Sequence, residues 1–134
     1  GEGGASLGYS IEKLNKVRAG NKYAFTTAPL GRVCMQGNKA NFSFDERFLA
    51  THHYNSPSEL DPNDVGFQQK GSSDIVVADF VTGEKKVVTK MGPGQFALYP
   101  HFRSDGWLYF LVVDKTARKY YVVASDWAVR QTER

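Results

Sequence analysis

The densest run of chemistry-bearing side chains in this sequence lies between His52 and Ser73. Glu59, Asp61, Asn63 and Asp64 place hard oxygen donors close together, which is the ligand chemistry that Ca²⁺ prefers. Neither the glycine nor a closing glutamate sits where an EF-hand loop needs it. Local Asx turns, in which the short side chains accept backbone N–H groups, are therefore the favoured reading of Asp61, Asn63 and Asp64, and no metal or other cofactor is expected. His52, His53 and Tyr54 stand just before this stretch. Neighbouring residues of a strand face opposite sides, so the two imidazoles are not expected to share one ion; one should enter the sheet packing and the other face solvent. His53, Tyr54, Glu59, Asp61, Asp64 and Phe67 are the candidate contacts for a partner, because a long loop carried on a rigid sheet is where recognition usually sits.

Other chemistries find no matching pattern. The chain contains no Gly-x-Ser-x-Gly elbow, P-loop, zinc-protease motif or paired-cysteine metal site, so no catalytic residue and no enzyme activity are expected. Cys34 is the only cysteine and cannot form an internal disulfide. Seventeen basic and fourteen acidic side chains give a net charge of +3. Lys13, Lys16, Arg18, Lys22, Lys85, Lys86, Arg118 and Lys119 are scattered, and the expectation is a solvated surface rather than a nucleic-acid site. There is no apolar run of the length that spans a bilayer. The start, Gly1-Glu2-Gly3-Gly4-Ala5-Ser6, lacks Met and any signal-peptide pattern, which suits a processed product, a cloning scar or an excised piece equally well.

The elements that must position these residues are short strands. With 134 residues, 41% of them apolar and 13% aromatic, the chain is long enough for one ordinary domain. Residues 1–8 read as a flexible terminus. In Tyr9 to Val17 the positions of Ile11, Leu14 and Val17 fit a helical spacing, but the segment is too short to separate helix from strand. Lys22 to Thr27 reads as a strand that enters the breaker Ala28-Pro29-Leu30-Gly31, with a further short strand over Arg32 to Met35. Residues Phe48 to His53, Asp74 to Phe80, Lys85 to Thr89, Ala97 to Phe102, Trp107 to Val113 and Lys119 to Ser125 are strands, separated by turns and without an evident long helix. That order predicts an antiparallel all-β architecture.

Two stretches repeat one pattern. Asn41-Phe42-Ser43-Phe44-Asp45-Glu46-Arg47-Phe48-Leu49-Ala50 and His101-Phe102-Arg103-Ser104-Asp105-Gly106-Trp107-Leu108-Tyr109-Phe110 each run from aromatic residue to aspartate turn to apolar strand. Their aspartates are 60 residues apart; the first copy carries a 19-residue loop, Asn55 to Ser73, where the second has 5 residues, Asp114 to Arg118. Removing that excess leaves 46, close to a propeller blade. Both aspartates are expected to be turn makers, not catalytic carboxylates.

On these residues the chain resembles the TolB-like, WD-like β-propeller repeat. Ala97-Leu98-Tyr99-Pro100-His101-Phe102-Arg103-Ser104-Asp105-Gly106 is similar to the Tyr-Pro-x-Phe-Ser-Pro-Asp-Gly core of that repeat, and Asp74 to Gly83 to its third strand and turn. Ser104 and Phe44 replace its proline, and Glu46 its glycine. The likeness spans residues 40 to 125. It implies a partial blade or capping segment over 9–39, a blade with an inserted loop (55–73) over 40–96, and a second, truncated blade over 97–134. Two blades and part of a third cannot close a ring of 4–8. The resemblance therefore implies an incomplete ring whose open flanks meet further blades, a partner protein or copies of the same chain. The function it implies is a non-catalytic protein-interaction or assembly scaffold in the periplasm or otherwise exported. The propeller part of a prolyl-oligopeptidase-like hydrolase and a Ca²⁺- or glycan-binding lectin-like domain are the alternatives.

Overall fold

The computed structural model describes residues 8–56 and 59–133. Residues 1–7, the larger part of the expected flexible terminus, lie outside the described residues. The chain divides into two units, residues 1–36 and 37–134. Strands dominate both, in antiparallel sheets that form no closed barrel.

The first unit is a long β-ribbon. Strands β1 (Tyr9–Ala19) and β2 (Lys22–Val33) pair antiparallel along their full length. Gly20-Asn21 joins them, with Gly20 at φ 64, the positive angle that a first turn position of type II′ demands. Ile11, Leu14 and Val17 are thus strand residues, and Leu14 faces the opposite side from the other two. The proline that should have broken β2 instead lies beside a bulge: Ile11 opposes Gly31 and Glu12 opposes Pro29, leaving Leu30 without a counterpart.

The second unit holds β3 (Asn38–Phe42), β4 (Phe48–Tyr54), helix α1 (Val65–Lys70), β5 (Ser73–Asp79), β6 (Lys85–Val87), β7 (Gln95–Phe102), β8 (Leu108–Asp114), β9 (Lys119–Ser125) and helix α2 (Trp127–Thr132). The sheet order is β3-β4-β5-β7-β8-β9, with β6 beside β5. Strands β5 and β7 meet at a single parallel bridge, Ser73 to Phe96, reinforced where the Ser73 hydroxyl donates to the Ala97 carbonyl at 2.8 Å. The two antiparallel groups, β3 to β6 and β7 to β9, are further held by hydrogen bonds that the Asn41 and His52 side chains accept from β7 and by packing. Phe48, Ala50, Ile75 and Val77 of the first group join Ala97, Phe102, Leu108, Phe110 and Val112 of the second, together with Ala128 of α2, in one core. After β9, α2 turns Trp127 onto that core.

The repeat seen in the sequence is repeated in backbone geometry. Lys39 and Tyr99 both take positive φ, 53° and 54°, and each lies in a register shift of its strand, between Asn38 and Asn41 and between Leu98 and His101. Asp45 Oδ1 accepts the Arg47 N–H at 3.1 Å, and Asp105 Oδ1 accepts the Trp107 N–H at 3.0 Å. The aspartates make their turns in the same way.

One residue separates the copies, and it inverts a face. Asn38, Asn41 and Phe42 oppose His52, Ala50 and Leu49, whereas Leu98, His101 and Phe102 oppose Leu111, Tyr109 and Leu108. The first strands thus correspond at an offset of 60 and the second strands at 59. The extra residue sits in the first hairpin, where Ser43 exchanges hydrogen bonds with Phe48: its N–H donates to the Phe48 carbonyl, and its hydroxyl oxygen accepts the Phe48 N–H, each at 2.9 Å. Because side chains alternate along a strand, a one-residue slip sends each to the other face. Core-facing Phe48, Ala50 and His52 therefore correspond to Trp107, Tyr109 and Leu111, while core-facing Leu108, Phe110 and Val112 correspond to Leu49, Thr51 and His53. The two groups pack front to back.

Glu46 occupies the place of Gly106 and pays for it. Its φ is 60°, against 89° at Gly106. An L-residue in that region costs roughly 1–2 kcal/mol, offset in part by the greater freedom glycine has when unfolded. Glu46→Gly is expected to stabilise the protein by about 0.5 kcal/mol, and Gly106→Ala to destabilise it by about 1 kcal/mol. Urea midpoints at unchanged slope would read both; a stabilising Gly106→Ala would count against the turn assignment.

Candidate functional site

The segment between β4 and β5 is closed at its base by a hydrogen-bond network. Asn55 Nδ2 donates to Ser72 Oγ and to Asp74 Oδ2, both at 2.8 Å, and the Asn55 N–H donates to the Ser72 carbonyl at 3.0 Å. Asp74 Oδ1 in turn accepts the Thr89 hydroxyl at 2.6 Å and the Met91 N–H at 3.0 Å. This carboxylate ties the loop base to the connection leading into β7.

Part of the loop is helical. Asp64 caps α1, its Oδ1 accepting the Phe67 N–H at 3.2 Å, and Gly71 ends the helix at φ 69. The signals were present in the sequence: an N-cap residue, a short following turn and a stop glycine. Asp61 Oδ1 accepts the Asn63 N–H at 2.9 Å, an Asx turn. Among the described residues, no three His, Cys, Asp or Glu side chains converge in a metal-holding geometry.

Glu59 is engaged with the strand end rather than offered to a ligand. It accepts hydrogen bonds from the Ser56 N–H at 2.6 Å and the Ser56 hydroxyl at 2.8 Å, and its Oε1 lies 2.8 Å from His53 Nε2. Desolvation pushes its carboxyl upward, but the Ser56 and His53 hydrogen bonds outweigh this and hold it below the usual glutamate value. His53 is half-buried, Tyr54 exposed and Phe67 half-buried; Asp61 is exposed and Asp64 half-buried. The candidate contacts therefore split into His53 with Glu59, Asp64 with Phe67, and Tyr54 at the end of β4.

The sequence reading placed one histidine in the sheet, and that residue, His52, has a larger role than packing. It is 3% exposed, and its Nδ1 accepts the Tyr99 N–H at 3.0 Å. The rings of Tyr54 and Tyr99 stand edge-on to it, with centroids 5.5 and 5.4 Å away. Asn41 Oδ1 likewise accepts the Phe102 N–H at 2.8 Å. The bulged β7 thus presents two N–H groups to the first group of strands, and two of its side chains satisfy them.

At the opposite hairpin end, a shallow cavity of about 180 Å³ lies between the two aspartate turns and α2, lined by Ser43, Asp45, Asp105, Gly106 and Val129 among others. Asp45 is held by the Ser43 hydroxyl at 2.6 Å, which with the backbone pulls its carboxyl below the usual value against a smaller desolvation. Several large aromatic side chains of the second unit stay at the surface. Tyr54, Trp107, Tyr120 and Tyr121 are 50%, 38%, 75% and 40% exposed, whereas Trp127 packs against the core. Tyr120 lies on the side of β9 away from the core, in register with Val113, whereas Tyr121, in register with Val112, is at the exposed margin of the core side.

Compared with family models, curated proteins and solved structures, the chain matches none.

Proposed function

We propose that residues 37–134 are two successive blades of a β-propeller acting as a non-catalytic interaction scaffold, with the outer face of β7, β8 and β9 as its docking surface for a further blade or partner. The observation that carries this reading is the front-to-back packing of the two groups. In a sandwich, like faces meet; in stacked blades, one face of each unit meets the other face of the next. The outer face corresponds in register to the face that the first group buries in the core. It is apolar, with Leu111 and Val113 half-buried and Tyr120 and Val122 75% and 72% exposed. Contiguous apolar exposure of this kind marks interaction surfaces. The helix α2 after β9 and the capped loop before β5 are then blade connections at the rim.

The test is association through that face. The 15.0 kDa chain should gain apparent mass with concentration in light scattering, and Tyr120→Lys with Val122→Lys should abolish the gain while leaving the melting temperature near wild type. A chain that stays monomeric throughout, with β9 amides protected from exchange as well as those of β8, would count against the reading.

A further inference from the structure

We propose that the β1–β2 ribbon binds single-stranded nucleic acid along the face that carries Lys16, Arg18, Tyr23 and Phe25. Residues 1–36 hold Lys13, Lys16, Arg18, Lys22 and Arg32 against Glu2 and Glu12, so the whole net charge of +3 falls there and the second unit is neutral. Charges scattered along the sequence are gathered by the hairpin.

The register sets their order. Lys16 opposes Phe25 and Arg18 opposes Tyr23, so two successive rungs on one face each pair a cation with an aromatic ring. Leu14, opposite Thr27, extends the same face, and Glu12 lies at its far end beside Pro29. The Lys16 ammonium sits 4.0 Å from the centre of the Tyr23 ring, and Arg18 Nε donates to the Gly20 carbonyl at 3.2 Å, which anchors the guanidinium near the tip. Leu14, Tyr23 and Phe25 are 65%, 54% and 60% exposed.

Rings on alternate residues of one strand are about 6.8 Å apart, twice the strand rise. That is about twice the 3.4 Å stacked rise of a nucleic-acid strand, the spacing of bases drawn apart so that each can lie on its own ring. Cations beside the rings meet the phosphates between them. The interleaving selects this occupant over others. A bilayer favours a segregated surface, apolar on one side and cationic on the other, and here both share one face. An acidic protein would satisfy the cations and leave the rings without a flat partner. A single strand supplies both, without base-edge readout, so binding should be tolerant of sequence.

The experiment titrates the full chain into fluorescein-labelled dT20 at 50 and 200 mM NaCl, with fluorescence anisotropy as the readout. Saturable binding is expected, weakening with salt at a log–log slope of about −1.4 for two phosphate contacts. Phe25→Leu should weaken it about tenfold with the slope retained, Phe25→Tyr should bind as wild type, and Lys16→Gln with Arg18→Gln should flatten the slope. The Leu and Tyr replacements both keep a strand-compatible side chain, so loss in one alone reports the ring rather than the fold. Absence of binding to dT20 overturns the proposal. So does tighter binding to the matching duplex, indifference to Phe25→Leu, or capture by phosphatidylserine vesicles without capture by dT20.

Discussion

Replacing Phe48 by Ala is expected to lower stability by about 3–5 kcal/mol. Phe48 is 2% exposed, and its ring has three neighbours from different parts of the chain. Phe102 of β7 stacks on it with centroids 6.4 Å apart, Trp127 of α2 meets it edge-on at 5.8 Å, and the Arg47 guanidinium lies 4.9 Å from its centre. Deleting the ring removes contacts in both groups of strands and in the terminal helix at once. Neither group buries both its faces alone, so the loss should appear as one cooperative transition, followed equally by tryptophan fluorescence and by far-ultraviolet circular dichroism. Phe48→Leu, which keeps most of the volume, should cost about 1.5 kcal/mol or less. A loss below 1 kcal/mol in Phe48→Ala would mean that the groups do not share the core described for them.

The second group of strands was legible because its residues carry their own signals. Asp105-Gly106 announces a tight turn, and β8 alternates buried and half-buried positions over its full length, as a half-exposed strand should. The first copy was legible only in outline. Glu46 takes a backbone angle that glycine prefers, and nothing in its chemistry advertises this. Aligned on the aspartates, Phe48 falls opposite Leu108, but a residue inserted in the hairpin shifts the strand and puts Phe48 on the face matched by Trp107. A sequence alignment scores one extra residue as a small change; a sheet of period two turns it into the other face.

The ribbon was legible only in part, in the strand from Lys22 to Thr27, for a different reason. Ile11, Leu14 and Val17 mimic a helical stripe, and the apolar residues of β1 and β2 fall on both faces instead of one, so no alternation marks a buried side. The two-residue link Gly20-Asn21 was the better signal, since a glycine at its first position favours a type II′ hairpin. In the loop after β4, the chemistry of each side chain was readable but its partner was not: Glu59 turns back onto Ser56 and His53, a choice fixed by the path of the chain. The same limit hid the most consequential contact of the histidine pair. That His52 would accept an N–H from Tyr99 depends on a bulge 47 residues away.

That contact predicts a pH dependence. Burial, with the positive charge of Lys39 adding to it, holds the His52 imidazole below its usual value of 6.5. The unfolded chain therefore takes up a proton at a higher pH than the folded one, and the neutral histidine favours the fold. Its contribution is fully present above about pH 6.5 and is lost as the pH falls toward and through the lower folded value. The structural cause is specific: a proton on Nδ1 turns the acceptor of the Tyr99 N–H into a second donor, and the two then oppose each other. His52→Leu removes the proton site and also strands the Tyr99 N–H, so it should cost about 1–3 kcal/mol at pH 8 and less at pH 5. Urea titrations of both proteins between pH 8 and pH 5 isolate the residue, because His53 and His101 are present in each. The gap between wild type and variant should narrow as the pH falls; a constant gap would show that the proton on His52 does not report on the union of the two strand groups.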